Sequence, residues 1–410
     1  MSSINNNIWQ DTNEINKYKK VKILIPKDIT VEKLEELYSK LNMHGTSIDI
    51  QLPIRIETNE FSLLPSLIQF ISTWIRKENS GKLLLPIMEH DINDYLYNND
   101  FAYPIIVMCW EKEIFNNNDQ NLKKALKDPS KEYFQQMDFF NLKSSDVPIF
   151  CFDFDKSNRG IPKCLYINKE TLFLEGALDF NLFPAYQKVG NFNKELFRKH
   201  FTKDFDAITG IIYELFLNTH EHAKTDEYGN YLYPNIRAII LKFHKKRIDT
   251  FKKNYENMKG LVSYFNSNFN LSSQDELYLL EISIIDSGPG LVKRYSGNSN
   301  LNLLQSQDEV DYVKKCLYRH NTSSDISIRD TKGIGLDRML RTLDKKGFLR
   351  IKTGRIDIIR DVKNNQYVHT DKPEKILLSD KKTNDNKEFT LYQEASGTLI
   401  SIFYPLTFNI

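Results

Sequence analysis

Glycine is scarce in this 410-residue chain, 16 residues in all, yet four fall in two short stretches, Asp286-Ser287-Gly288-Pro289-Gly290 and Lys332-Gly333-Ile334-Gly335-Leu336. Glycines that only punctuate turns would be spread among the loops. The first pair follows an apolar run over 277–285 that reads as a strand, and the second precedes a run over 337–345 that reads as a helix. Both therefore leave backbone uncovered by side chains at an element end. At the strand end, Asp286 offers an acceptor beside open backbone, a fit for the amino group of a purine. Gly333 and Gly335 precede a helix start, where free N–H groups and the helix dipole favour phosphate, and Lys332 adds a charge. Alone, the first stretch also reads as a simple turn, and Lys332 as a loop lysine without a ligand.

Upstream, Glu214, Asn218 and His222 are spaced i, i+4, i+8 and stack along one helix face, with Ile208, Ile212 and Leu215 turned to the core. Such a face directs a carboxylate, an amide oxygen and an imidazole toward one point. An amide oxygen suits magnesium, which takes oxygen ligands and completes its shell with water and substrate phosphates. A carboxylate one turn away can orient or deprotonate an attacking water. The plainer reading is an exposed polar face, with His222 packed or bonded to solvent. A fourth stretch, Ser396-Gly397-Thr398, opens the last apolar strand, over 398–405.

In order and placement these four stretches resemble the N box, the two glycine boxes and the closing Gly-Thr strand of the GHKL ATPases. The resemblance covers residues 200–410. The Asn-x-x-x-His-Ala ending at 218–223 is most similar to the anti-sigma serine kinases. The resemblance implies ATP and Mg²⁺ as ligands, Asn218 as the magnesium ligand and Glu214 as the general base. It gives Asp286 the adenine N6 hydrogen bond, supported by Thr398, and places Gly288, Gly290, Lys332, Gly333, Gly335 and Leu336 around the nucleotide, with His222 near a phosphate. Residues 291–332 would form an ATP lid. The implied fold is an α/β sandwich, a mixed sheet with helices on one face. The Gly-x4-Gly-Lys-Ser/Thr spacing of a P-loop is absent.

Length suggests two or three domains, divided here as 1–193, a mixed α/β domain, and 194–410, the ATP-binding domain. Strands are predicted over 21–25, 48–56 and 82–87, helices over 31–41 and 63–75, and a polar surface excursion over 116–130. In the second region a helix from about 194 enters the N box, a strand spans 236–243, and a polar insertion reaches about 276. A hairpin over 347–359 and a charged loop over 361–387 follow. The apolar run 63–75 is too short to cross a bilayer, and no signal peptide opens the chain, so a cytoplasmic location is expected. Four cysteines without a close pair exclude a disulfide framework and a zinc site. A net charge of +2 provides no field for nucleic acid, and the basic runs 244–247 and 381–382 read as solvated loop ends.

Three functions follow. The leading one is Mg²⁺-dependent ATP binding with slow hydrolysis, driving a conformational or partner-binding switch whose partner is another protein or a second copy. The second is a protein kinase, of serine in a partner or of its own histidine, for which His90-Asp91-Ile92-Asn93 is the nearest imitation of a phosphoacceptor motif. The third is a non-enzymatic ATP-sensing module.

Overall fold

The computed structural model describes residues 19–42, 46–77, 80–154, 160–190, 202–318, 335–368 and 372–406. The chain is α/β, with one parallel and one larger antiparallel sheet. The parallel sheet has the order β1-β2-β3-β4, from β1 (Lys19–Leu24), β2 (Thr46–Gln51), β3 (Leu83–Leu85) and β4 (Ile114–Asn116). Between its strands run α1 (Val31–Tyr38), α2 (Leu63–Arg76), α3 (Ile92–Asn98) and α4 (Ala102–Met108). Thr30 caps α1, its hydroxyl accepting from the Lys33 N–H at 3.1 Å. The segment predicted as a surface excursion instead turns at 117–120 and enters α5 (Lys123–Asp138). Leu126, Ser130, Tyr133 and Met137 of that helix are buried at helical spacing, a pattern obscured in the sequence by the asparagines before it and by Pro129 within it.

Next come β5 (Val147–Cys151), a two-stranded ribbon of β6 (Tyr166–Asn168) and β7 (Thr171–Leu172), and α6 (Glu175–Val189). The long helix α7 (Thr202–His222) carries Glu214, Asn218 and His222. After β8 (Arg237–Arg247), the polar insertion contains two helices, α8 (Ile248–Asn254) and α9 (Lys259–Phe265). Then follow β9 (Glu276–Asp286), α10 (Gly290–Ser296), α11 (Ser306–Leu317), α12 (Gly335–Leu343), and β10 (Phe348–Gly354) with its hairpin partner β11 (Ile356–Asp361). The charged segment contributes the short β12 (Ser379–Asp380), and β13 (Ala395–Pro405) closes the chain.

The larger sheet has the order β12-β11-β10-β13-β9-β8-β5, and every neighbouring pair is antiparallel, not mixed as expected. Its edge strand β5 and the helix α6, which packs on α7, both lie before residue 193. Helices cover both faces, which corrects the one-faced sandwich. Tyr278, Leu280, Ile282 and Ile284 of β9 face a core shared with Ile208, Ile212 and Leu215 of α7 and with Met339, Leu340 and Leu343 of α12. The alternate residues Leu277, Leu279 and Ile285 are equally apolar and need cover of their own, which α2, α8 and α9 supply. Phe61, just before α2, stacks on Phe403, Tyr255 and Phe251 at centroid distances of 4.3, 4.8 and 5.7 Å.

Polar groups lock this second face. His244 lies 2.7 Å from Glu281, and the Ser62 N–H donates to the same carboxylate at 2.6 Å. Burial pushes the Glu281 carboxyl up, but His244, Lys242 and the Ser62 N–H together outweigh it and hold the group below its usual range. Arg350 grips Asp357 through two bonds of 2.9 and 2.7 Å, and Lys381 joins them at 3.3 Å. The basic runs expected as solvated loop ends are thus partly interior, because each meets a carboxylate distant in sequence. Among the described residues no helix is long and apolar enough to cross a membrane.

Candidate functional site

Strand β9 runs buried to its last residue, so Asp286 arrives at the edge of the core only 7 % exposed. The chain must then turn at once, and Gly288 lets it do so against α7. A Cβ there would lie 2.7 Å from the Ala223 Cα, so the turn touches the end of the N-box helix. The backbone N–H groups of Gly288, at 2.8 Å, and of Thr398 donate to the Asp286 carboxylate. On the neighbouring strand Gly397 has φ +76, and a Cβ there would fall 1.8 Å from the Asp286 carbonyl oxygen. Only glycine fits that crossing. Thr398 is buried, its hydroxyl 3.5 Å from that of Thr353, which accepts the Leu291 N–H at 2.9 Å just after Gly290 opens α10. Three of the four stretches therefore meet around one carboxylate.

Burial pushes the Asp286 carboxyl up to about 6, against the two backbone donors that favour its charged form. A raised carboxyl value means that its contribution to stability is fully present below the unfolded value of 3.8 and is lost as pH rises through about 6. Near pH 7 the ligand-free protein thus carries an ionised, buried acceptor that a donor would relieve. Asp286→Asn should then make the ligand-free protein more stable at pH 7.5 than the wild type, by about 1 to 3 kcal/mol, since every tenfold change in proton affinity on folding is worth roughly 1.4 kcal/mol. The gain should shrink toward pH 4. Urea unfolding of both proteins at the two pH values measures it, and a pH-independent difference would remove the buried-charge account.

Glu214, Asn218 and His222 are all half-buried along α7. Glu214 faces α12, with Arg338 Nη1 3.6 Å from its Oε1. Burial raises the Glu214 carboxyl, and Arg338 opposes the rise. Arg338 also donates to both oxygens of Glu175, at 2.7 and 2.6 Å, and this pair crosses α7 over Gly210, where a Cβ would come 2.8 Å from the guanidinium. The helix that follows the second glycine stretch is thereby tied to the N-box carboxylate. His222 Nε2 lies 3.8 Å from Glu221. Next to it on the helix, His220 Nδ1 is 2.9 Å from the Tyr166 hydroxyl, and burial pushes the imidazole down to about 4, so this histidine is neutral at pH 7.

Lys332 and Gly333 lie outside the described residues, as does the last part of the predicted lid. Gly335 opens α12, and the side chain of Leu336 is not described. The described part of the lid forms α10 and α11, whose Val292, Val310, Val313 and Leu317 belong to the main core. Glu309 fastens it further through Arg355, at 2.6 Å to the guanidinium and 2.9 Å to the backbone N–H.

The sequence reading missed the side chains that brace the site. Arg76, at the end of α2, reaches across from the parallel sheet and donates to the Ser287 carbonyl at 3.2 Å. Arg237, paired in register with Asp286, is wholly buried. It meets Asp153 through bonds of 2.8 and 2.5 Å and Cys151 Sγ at 3.1 Å, and lies over the Phe216 ring at 5.1 Å. No spacing rule links Arg76, Asp153 or Glu175 to the motifs. Only the run of apolar residues flanking Arg237 hinted that its charge would be interior.

Among the described residues no cluster of three or more His, Cys, Asp or Glu side chains could hold a metal ion. A magnesium ion carried in on phosphates needs no such cluster, and the half-buried Asn218 amide, one turn from Glu214, suits it as a single oxygen ligand. Comparison with protein-family models, curated proteins and solved structures finds no match.

Proposed function

We propose that the chain binds ATP with magnesium where the end of α7, the turn after β9 and the start of β13 meet, and that it hydrolyses the nucleotide slowly. The observation that carries this reading is Asp286: a buried carboxylate at a strand end, between two backbone donors, with Gly288 and Gly397 packed around it. An acceptor kept in that place and charged at neutral pH suits a donor such as the adenine amino group. Asn218 would take magnesium through its amide oxygen, leaving water and phosphate oxygens for the remaining positions. Glu214 would orient the attacking water and accept its proton, and its raised affinity for protons suits a base working near neutral pH. Arg338, shared between Glu175 and Glu214, would couple the position of α12 to the base. The output is a switch read by a protein partner or a second copy.

Thermal unfolding with and without ATP and magnesium tests the binding step. Wild type should be stabilised by the nucleotide. Asp286→Asn, although more stable alone, should lose most of that shift, because an amide offers donors to the adenine amino group and the mispaired contact costs about 1 to 3 kcal/mol. Equal nucleotide-induced shifts in the two proteins would sink the adenine assignment.

A further inference from the structure

On the far side of β5 from α7, the molecule has a second concavity, a groove of about 690 Å³ between α4, α5 and the residues Phe152, Phe154, Gly160, Ile161 and Lys163. Small-molecule sites typically measure roughly 300–1,000 Å³, with an apolar lining and a few polar groups. The floor of this groove is aromatic: Tyr103, Trp110, Phe134 and Phe152 line it, with Phe154 and Tyr233 at one end. Tyr103 and Phe152 are buried, their rings packed edge to face at 5.9 Å, so the floor is rigid. Residues 155–159, between Phe154 and Gly160, lie outside the described residues.

The rim is basic. Lys127 and Lys131 stand one turn apart on α5, Lys163 also lines the groove, and all three are exposed. Lys163 sits 5.4 Å over the ring of Phe139, itself 62 % exposed. Among the described residues, Asp138 is the one acidic residue lining the groove; burial raises its carboxyl, and it accepts the Lys163 backbone N–H at 2.7 Å. Among the described lining residues, three ammonium groups against one occupied carboxylate leave the rim positive. Ser130 also lines the groove, and its hydroxyl has no hydrogen-bond partner among the described residues. Aromatic faces below and positive charge above select one kind of occupant, since a neutral apolar molecule would leave the lysines unused and a small inorganic anion would leave the floor wet.

We propose that this groove binds a small organic anion, with a flat apolar body on the aromatic floor and a carboxylate, sulfonate or phosphate at the lysine rim. The site is separate from the Asp286 junction and rests on none of its residues.

Fluorescence titration of the full chain with anilinonaphthalene sulfonate, and with the uncharged N-phenylnaphthylamine, provides the test. Wild type should bind the sulfonate saturably, one per chain. The triple variant Lys127→Glu, Lys131→Glu, Lys163→Glu alters only exposed side chains and should weaken the sulfonate about ten-fold or more, leaving the neutral probe within about two-fold. Trp110→Ala, which removes part of the floor, should weaken both. Displacement of the sulfonate by an aryl carboxylate or an aryl phosphate would identify the preferred anionic group. The proposal is overturned if wild type binds no sulfonate saturably, if the triple variant binds it as wild type does, if it loses both probes equally, or if neither aryl anion competes.

Discussion

Glu214→Ala should abolish most phosphate release from ATP, by roughly a hundred- to ten-thousand-fold, the range over which a positioned general base accelerates proton transfer. Nucleotide binding should survive. The substitution does not strand its partner, because Arg338 keeps both bonds to Glu175. The Glu214–Arg338 contact is also partly open to water, with the side chains 22 % and 38 % exposed, so its loss should cost well under about 1 kcal/mol of stability. A fall in rate therefore reports chemistry and not unfolding. Asn218→Ala should behave differently and lose the magnesium-dependent part of binding as well. Steady-state phosphate release alongside thermal shifts separates the two. Wild-type turnover in Glu214→Ala would end the hydrolytic reading and leave ATP sensing, and label transferred from γ-phosphate to a protein would point to a kinase.

The second large effect concerns stability. Asp153→Ala removes both oxygens that hold Arg237, whose guanidinium is wholly buried against Cys151 and two aromatic rings. Breaking a buried pair by deleting one member typically costs about 3 to 5 kcal/mol, because the surviving charge cannot recover its water. The double variant Arg237→Met, Asp153→Leu should cost less than the single one, since it leaves no charge behind. Urea unfolding of the three proteins gives the comparison, and a single variant no worse than the double would show that water reaches Arg237. The register partner of Arg237 is Asp286, so loss of this anchor should also lower ATP affinity.

Several elements were legible because their signals are local. The apolar run at 63–75 reads as a buried helix, and α2 spans Leu63–Arg76. The run at 277–285 reads as a strand ending at Asp286, as β9 does. The helical spacing of Glu214, Asn218 and His222, and the placement of Asp286, Gly288, Gly290 and Thr398 near one another, followed from motif order. What could not be read depends on partners far away in sequence. His244 looks like part of a solvated basic run until Glu281 is placed 2.7 Å from it. Helices α8 and α9 looked like a polar insertion because their aromatic residues are interspersed with lysines, and only the stack on Phe61 gives those rings a purpose. Likewise, the apolar run in β9 announced a buried strand, with Tyr278, Leu280, Ile282 and Ile284 on one face. The second was disguised by Glu281 and Ser283, which are interior only because Ser62, His244 and Ser401 satisfy them.

The contact between Arg76 and Ser287 has a wider consequence when set beside the burial of β9 on both faces. A cut near residue 193 would take away the edge strand β5, leave β8 with unpaired backbone, and strip Phe61 from Leu279 and α2 from Ile285. Among the described residues the two halves therefore share one sheet and pack on the same strands. A rearrangement at the Asp286 turn would therefore press on α2, and on the parallel sheet beyond it, directly through a bonded guanidinium.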